Sequence, residues 1–179
     1  MMPPTDQDAS QTQQRRAARL IGAGATVLAT SVLIDSAMEH YRGSFHNKAM
    51  LTPLLTASLG IALNASAHGH AASRLRMSGQ AATALSGAAG LGFHAFDIAR
   101  RPGRLSWTNL FYAAPVGAPA ALILAGSLGA AADTLRAGDD HVGLAPIASG
   151  RALAAFAAAG ILGTAGEAWL MHFRGAFHN

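Results

Sequence analysis

The chain contains no cysteine. That excludes disulfides, thiolate metal ligands, a cysteine nucleophile and iron–sulfur clusters held in the usual way. Charge is scarce too: 12% of the 179 residues are charged, about half the soluble norm of about 25%. A water-soluble domain of this size needs more charge to coat its surface. Lysine is nearly absent, Lys48 being the only one, so the formal charge of +4 comes from arginine. The arginines fall between apolar runs and form no single patch, which excludes a nucleic-acid footprint. What remains is apolar: 51% of the chain, with a mean hydropathy of +0.27 held down by alanine and by 20 glycines. Length sets one domain.

Taken in order, residues 1–14 carry few large apolar groups and read as a disordered tail, leaving 15–179 as a single transmembrane domain. Arg15, Arg16 and Arg19 precede an apolar run from Leu20 to Ile34. This arrangement could be a secretory signal, but no clean cleavage site precedes Asp35, so an uncleaved first helix is the better reading. Ala49–Ser73 and Met77–Phe96 are uncharged stretches of 25 and 20 residues, long enough for a hydrocarbon core of about 30 Å. Leu105–Ala132 is a fourth apolar run, with Trp107 and Tyr112 near its start and Pro115 and Pro119 placed to kink it. Ala152–Phe173 is the fifth. The fold class is therefore all-α: a polytopic transmembrane helical bundle of about five membrane-spanning helices. Small residues at four-residue spacing (Ser86/Gly90, Gly126/Ala130, Ala159/Gly163) suit close helix approach in lipid. With the N-terminus cytoplasmic, seven basic residues face the cytoplasm and six the other side, which favours that orientation in a bacterial-type inner membrane.

One phrase occurs twice. Asp35, four residues, then His40-Tyr-Arg-Gly-Ser-Phe-His-Asn47 closes the first apolar run; Glu167, four residues, then His172-Phe-Arg-Gly-Ala-Phe-His-Asn179 closes the last. Six of the final eight positions are identical. What repeats is a helix ending and not a domain. Helices one, three and five run the same way, so their ends bring five of the eight histidines to one face, His40, His46, His94, His172 and His178, with Asp35, Glu39, Asp97 and Glu167. Ionisable groups at membrane depth mark functional sites. Gly43 and Gly175 stand where a glycine helix stop belongs. A turn there folds Phe-His-Asn back and brings His46 toward His40 and His178 toward His172. His94 and Asp97, three apart, suit a ligand pair or a carboxylate that orients an imidazole.

Three readings follow. The first is a metal centre (copper, iron or zinc) or haem b, used in electron transfer or in a membrane metalloprotein subunit. His40, His94 and His172 lead as ligands, His46 and His178 close over the site, and Asp35, Glu39, Asp97 and Glu167 supply carboxylates. No recognised ligand spacing such as His-x-x-x-His supports it. The second is an anchor or assembly subunit of a membrane complex, or a homo-oligomer, whose repeated endings form an ion-pair network: Asp35 or Glu39 with Arg174, and Glu167 with Arg42. The third is a proton or small-solute pathway that would join His68 and His70 to His94. Gly22-Ala-Gly24 lacks the βαβ context of a dinucleotide site. Asn64-Ala-Ser66 matches a glycosylation sequon but lies inside an apolar run.

Overall fold

The computed structural model describes residues 6–66, 73–106, 108–109 and 116–175. Among these residues it is all-helical, with five α-helices and one isolated antiparallel bridge, Val142–Ala145. They are α1 (Asp6–Arg42), α2 (Thr52–Ala65), α3 (Arg74–Arg100), α4 (Gly117–Arg136) and α5 (Gly150–Gly175), with a 3-10 turn at Lys48–Leu51 before α2. α1 runs on through residues 7–14, read above as a tail, as an exposed helical extension. Trp107, Tyr112, Pro115, His68, His70 and His178 lie outside the described residues.

Local sequence accounts for the helix starts. Pro53 sits in the first turn of α2, where a missing N–H costs nothing. Ser73 caps α3 by accepting the Arg76 amide at 3.2 Å, and Ser149 Oγ accepts the Ala152 amide at 3.3 Å as α5 begins. α3 stops at Arg100, just before Pro102. Pro119 was placed inside a long span, where it would kink it. α4 instead begins at Gly117, so Pro119 falls in the first turn and produces no mid-helix break.

The helices alternate in direction. α4 packs between α1 and α3, α2 packs against α1 and α3, and α5 lies outside on α4. α1, α3 and α5 therefore run parallel. The faces that meet are made of small residues. On α1 the buried row is Ala18, Gly22, Ala25, Ala29, Val32 and Ser36, alternating by four and three. That seven-residue period keeps one narrow seam on its partners. The inward seam of α3 has the same spacing: Arg76, Gln80, Thr83, Gly87, Gly90 and His94.

Two of the three small-residue pairs sit in these contacts. Ser86 Oγ accepts from Thr56 Oγ1 at 2.9 Å, and a Cβ on Gly90 would meet Pro119 at 3.6 Å. A Cβ on Gly126 would come within 2.5 Å of Ala84 N and 2.6 Å of Gln80 O. Gly163, by contrast, has nothing within 4 Å. Large apolar side chains point outward instead: Leu75 is 81% exposed, Leu55 70%, Phe93 64% and Leu162 72%. Two helices, Gln7–Arg42 and Gly117–Arg136, are long and apolar enough to cross a membrane.

Gly126→Leu, which must push α3 away from α4, is expected to destabilise the fold by about 3 kcal/mol or more. Gly24→Leu, at a site with nothing within 4 Å, is expected to change stability by less than about 0.5 kcal/mol. Thermal unfolding of the two variants measures the difference.

Candidate functional site

The first copy of the repeated ending forms a tight turn. Gly43 N donates to Glu39 O at 3.0 Å, Ser44 N to Tyr41 O at 2.8 Å and Phe45 N to His40 O at 3.0 Å. These bonds take up the last carbonyls of α1. The left-handed residues are Ser44 (φ 59°) and Phe45 (φ 45°). Gly43 is therefore not the helix-stopping glycine the sequence suggested. Its missing side chain serves close approach, since a Cβ there would lie 3.0 Å from Met50 Cε.

Two successive left-handed residues cost roughly 1–2 kcal/mol each. Side chains of the same motif offset that strain. Phe45 meets the His40 ring edge-on at 6.3 Å between centroids. His46 Nδ1 donates to Gly43 O at 3.0 Å, and Asn47 Oδ1 accepts Ala49 N at 2.9 Å to open the 3-10 turn. His40 Nδ1 bonds the Met50 carbonyl at 2.6 Å. A carbonyl only accepts, so His40 carries a proton on Nδ1, and in the neutral ring the lone pair is on Nε2. The same logic leaves His46 Nε2 as an acceptor. The turn thus ties the His40 ring to the Met50 carbonyl and the His46 ring to the Gly43 carbonyl.

The carboxylates of this face are less gathered. Glu39 pairs with Arg42 at 2.6 Å within α1, and Asp35 is exposed one turn earlier. Asp97 is also exposed and lies 4.0 Å from Arg100, which stacks on Phe96 at 5.5 Å. His94, three residues away, is half-buried on the inward seam of α3, so the two do not share surroundings. Glu167 and His172 are on α5, but their side chains, like His178, lie outside the described residues. The 140° offset between Asp35 and His40 around α1 is reflected here: the acid faces out and the imidazole faces the 43–51 turn.

A second polar centre occupies the opposite end of the bundle, where α1 and α3 start and α2 and α4 finish. Asp133 is fully buried. Its Oδ1 accepts from Arg76 Nη2 at 3.0 Å, from Arg76 Nε at 3.2 Å and from Arg136 Nη1 at 2.6 Å. Arg76 also donates to Leu63 O at 2.6 Å, and Arg136 reaches Ala18 O at 3.4 Å. One carboxylate therefore ties together all four helices. A turn deeper, Gln80 Nε2 donates to Asn64 Oδ1 at 3.2 Å, and its amide fills the space that a side chain at position 129 would need. Thr83 Oγ1 donates to Gly79 O at 3.0 Å. Beyond it, Gly87 and Gly90 are covered by Pro119 and Ile123 of α4, which closes the route along the α3 seam toward His94.

Sequence reasoning passed over this centre. The available signal was Asn64 and Gln80, lone amides inside otherwise apolar runs, with Arg76 four residues from Gln80. A third group, also missed, is the exposed loop Asp139-Asp140-His141, whose ligand atoms lie within 4.8 Å of one another. Asp139 Oδ1 accepts the amides of Asp140 at 2.7 Å and His141 at 3.1 Å. These bonds, the His141 one foremost, hold its carboxyl below the usual 3.8.

Two outcomes are expected. Asp133→Ala, which strands two largely buried guanidiniums, is expected to destabilise the protein by about 3–5 kcal/mol. Arg42→Ala breaks only an exposed pair and is expected to cost under about 1 kcal/mol, read by the same melts. At Asp139 the folded value is depressed, so its support of the turn is present above pH 3.8 and is lost as pH falls through the lower folded value. A carbon-13 titration of this carboxyl is expected to give a midpoint below 3.8; a midpoint at or above it contradicts the turn. No protein family, curated protein or solved structure matches this chain.

Proposed function

We propose that this is an integral membrane protein of about five spans that binds a metal ion or haem through imidazole Nε2 atoms at one membrane face. The membrane part rests on the inverted build of the bundle. Its buried positions are mostly alanine, glycine and small polar residues, with Val32, Ile98, Leu122 and Leu135 among them, while many of the larger apolar side chains, such as Leu55, Leu75, Phe93 and Leu162, are exposed. In lipid, burying leucine gains little and close backbone contact gains much, so this distribution is stable there. In water it would leave large apolar patches unpaired. α3 and α5, of 27 and 26 residues, have the length for a span. α2 has 14 residues and is about 21 Å long by its rise, so it needs the adjoining 3-10 turn to approach 30 Å. The reading keeps the N-terminus on the cytoplasmic side of a bacterial-type inner membrane.

One observation carries the metal reading: the 2.6 Å bond from His40 Nδ1 to the Met50 carbonyl. Metal-binding imidazoles are typically held this way, with one nitrogen tethered to a carbonyl and the other aimed at the ion. His94 and His172, at the ends of the helices parallel to α1, complete the proposed set. Copper, iron and zinc all accept neutral imidazole, and an axial histidine pair suits haem b. The subunit or anchor alternative is favoured by a different observation: Glu39 and His46 are bonded inside the motif itself, and Asn47 to Ala49 just beyond it. On that reading the motif is a rigid turn offered to another chain.

Elemental analysis and a visible spectrum of the detergent-purified protein decide between them. The metal reading expects near-stoichiometric copper, iron or zinc, or a Soret band, lost in a His40→Ala/His172→Ala double variant and kept in His141→Ala. A folded protein that stays colourless and retains none of these metals after loading overturns it in favour of the subunit reading.

A further inference from the structure

A groove of about 400 Å³ lies between α3 and α4, bordered by the 142–147 stretch and by Phe156 of α5. Its volume is that of a small-ligand site. The floor is Ala81, Ala84, Gly126 and Ala130, and Met77 and Ile147 form its sides. It offers little to a polar ligand. Ser127 Oγ already donates to Ile123 O at 2.8 Å, and Gln80 is turned onto Asn64 and Gly129. The site therefore suits a flexible apolar chain lying over a smooth floor of small residues.

Charge at its mouth identifies the other end of that chain. Arg74 opens α3, is exposed, and stands four residues before Ser78, which lines the groove, so the two share a helix face. The neighbouring Arg76 is committed to Asp133 and Leu63 O, whereas Arg74 faces outward beside the 81%-exposed Leu75. An arginine above an exposed leucine, at the end of an apolar groove, matches the headgroup-to-chain transition of a lipid. We propose that the groove holds one acyl chain of a phospholipid whose phosphate lies against the Arg74 guanidinium. This inference rests on the membrane reading above.

The test uses the full chain, delipidated in detergent, titrated with phosphatidylglycerol and followed by native mass spectrometry. One lipid is expected to be retained per chain. Ala81→Trp fills the groove from an exposed floor position, and is expected to weaken retention on the order of tenfold. Arg74→Gln removes one interfacial charge and is expected to weaken it about fivefold. Ala82→Trp, exposed on the same turn but outside the groove, controls for folding and is expected to bind as the unaltered chain does. Retention unchanged in Ala81→Trp, lost equally in Ala82→Trp, or as strong for uncharged diacylglycerol overturns the proposal. So does displacement of the phospholipid by an equal concentration of a neutral isoprenoid quinone. A chain that stays soluble and monodisperse without detergent overturns the membrane reading itself, whereas a detergent-dependent chain that binds no lipid overturns only the groove.

Discussion

Everything in this bundle depends on how closely α4 approaches α3. A Cβ at Gly126 on one helix or Gly87 on the other would collide with main-chain atoms of its neighbour, and Gly129 leaves the room that the Gln80 side chain fills. At that distance the Gln80 amide lies flat on Gly129 and is turned toward Asn64, which fixes α2 as the third partner. One turn on, the same approach brings Arg76 onto Asp133. Dispersion between close backbones is individually small and collectively large. The polar contacts then select which small-residue faces meet, because a mispaired helix would leave an amide or a charge buried alone.

The Asp133 centre shows how much a single buried charge can organise. A carboxylate with no exposed surface is tolerable only when it is well partnered, and two guanidiniums supply three N–H groups to one of its oxygens. Those guanidiniums in turn donate to Leu63 O in the last turn of α2 and to Ala18 O within α1. Gly22 is required beside them, since a Cβ there would lie 2.7 Å from Arg136 Nη2. The arginines of this end thus act as structural donors more than as the solvated topology signals that a charge count treats them as.

The sequence made the helical class legible because long uncharged runs of alanine, glycine and leucine have few other stable forms. It also showed part of the local chemistry of the repeated ending: the chain does turn after Gly43, whereas Arg42, expected to meet Glu167, pairs with Glu39 of its own helix. It did not show which residue takes the left-handed angle. That depends on Met50 occupying the space over Gly43, a contact between residues seven apart. Pro119 was misplaced because a proline reads the same in a first turn as in a span, and the start of α4 is set by tertiary context. The Asp133 centre was hidden for a more general reason. Its members are spread from Ala18 to Arg136, and no spacing rule links residues that meet only after four helices have packed. A search for unusual polar residues inside apolar runs would have found Asn64 and Gln80, and through them the right end of the bundle.

The two ends differ in what they leave over, and this bears on what each can bind. At the Asp133 end the charge is net positive, two arginines to one buried aspartate, and the outward Arg74, Arg15, Arg16 and Arg19 add to it. At the His40 end Nδ1 of His40 and of His46 is bonded to a backbone carbonyl, so the lone pair of each ring in its neutral form is on Nε2. Lone pairs bind cations, metals or donor protons. Between the ends, Pro119 and Ile123 lie over Gly87 and Gly90 and separate the Gln80–Thr83 stretch from His94. The two ends of the bundle therefore differ in chemistry, guanidiniums around a buried carboxylate at one and tethered imidazoles at the other, with a closely packed middle of small residues between them.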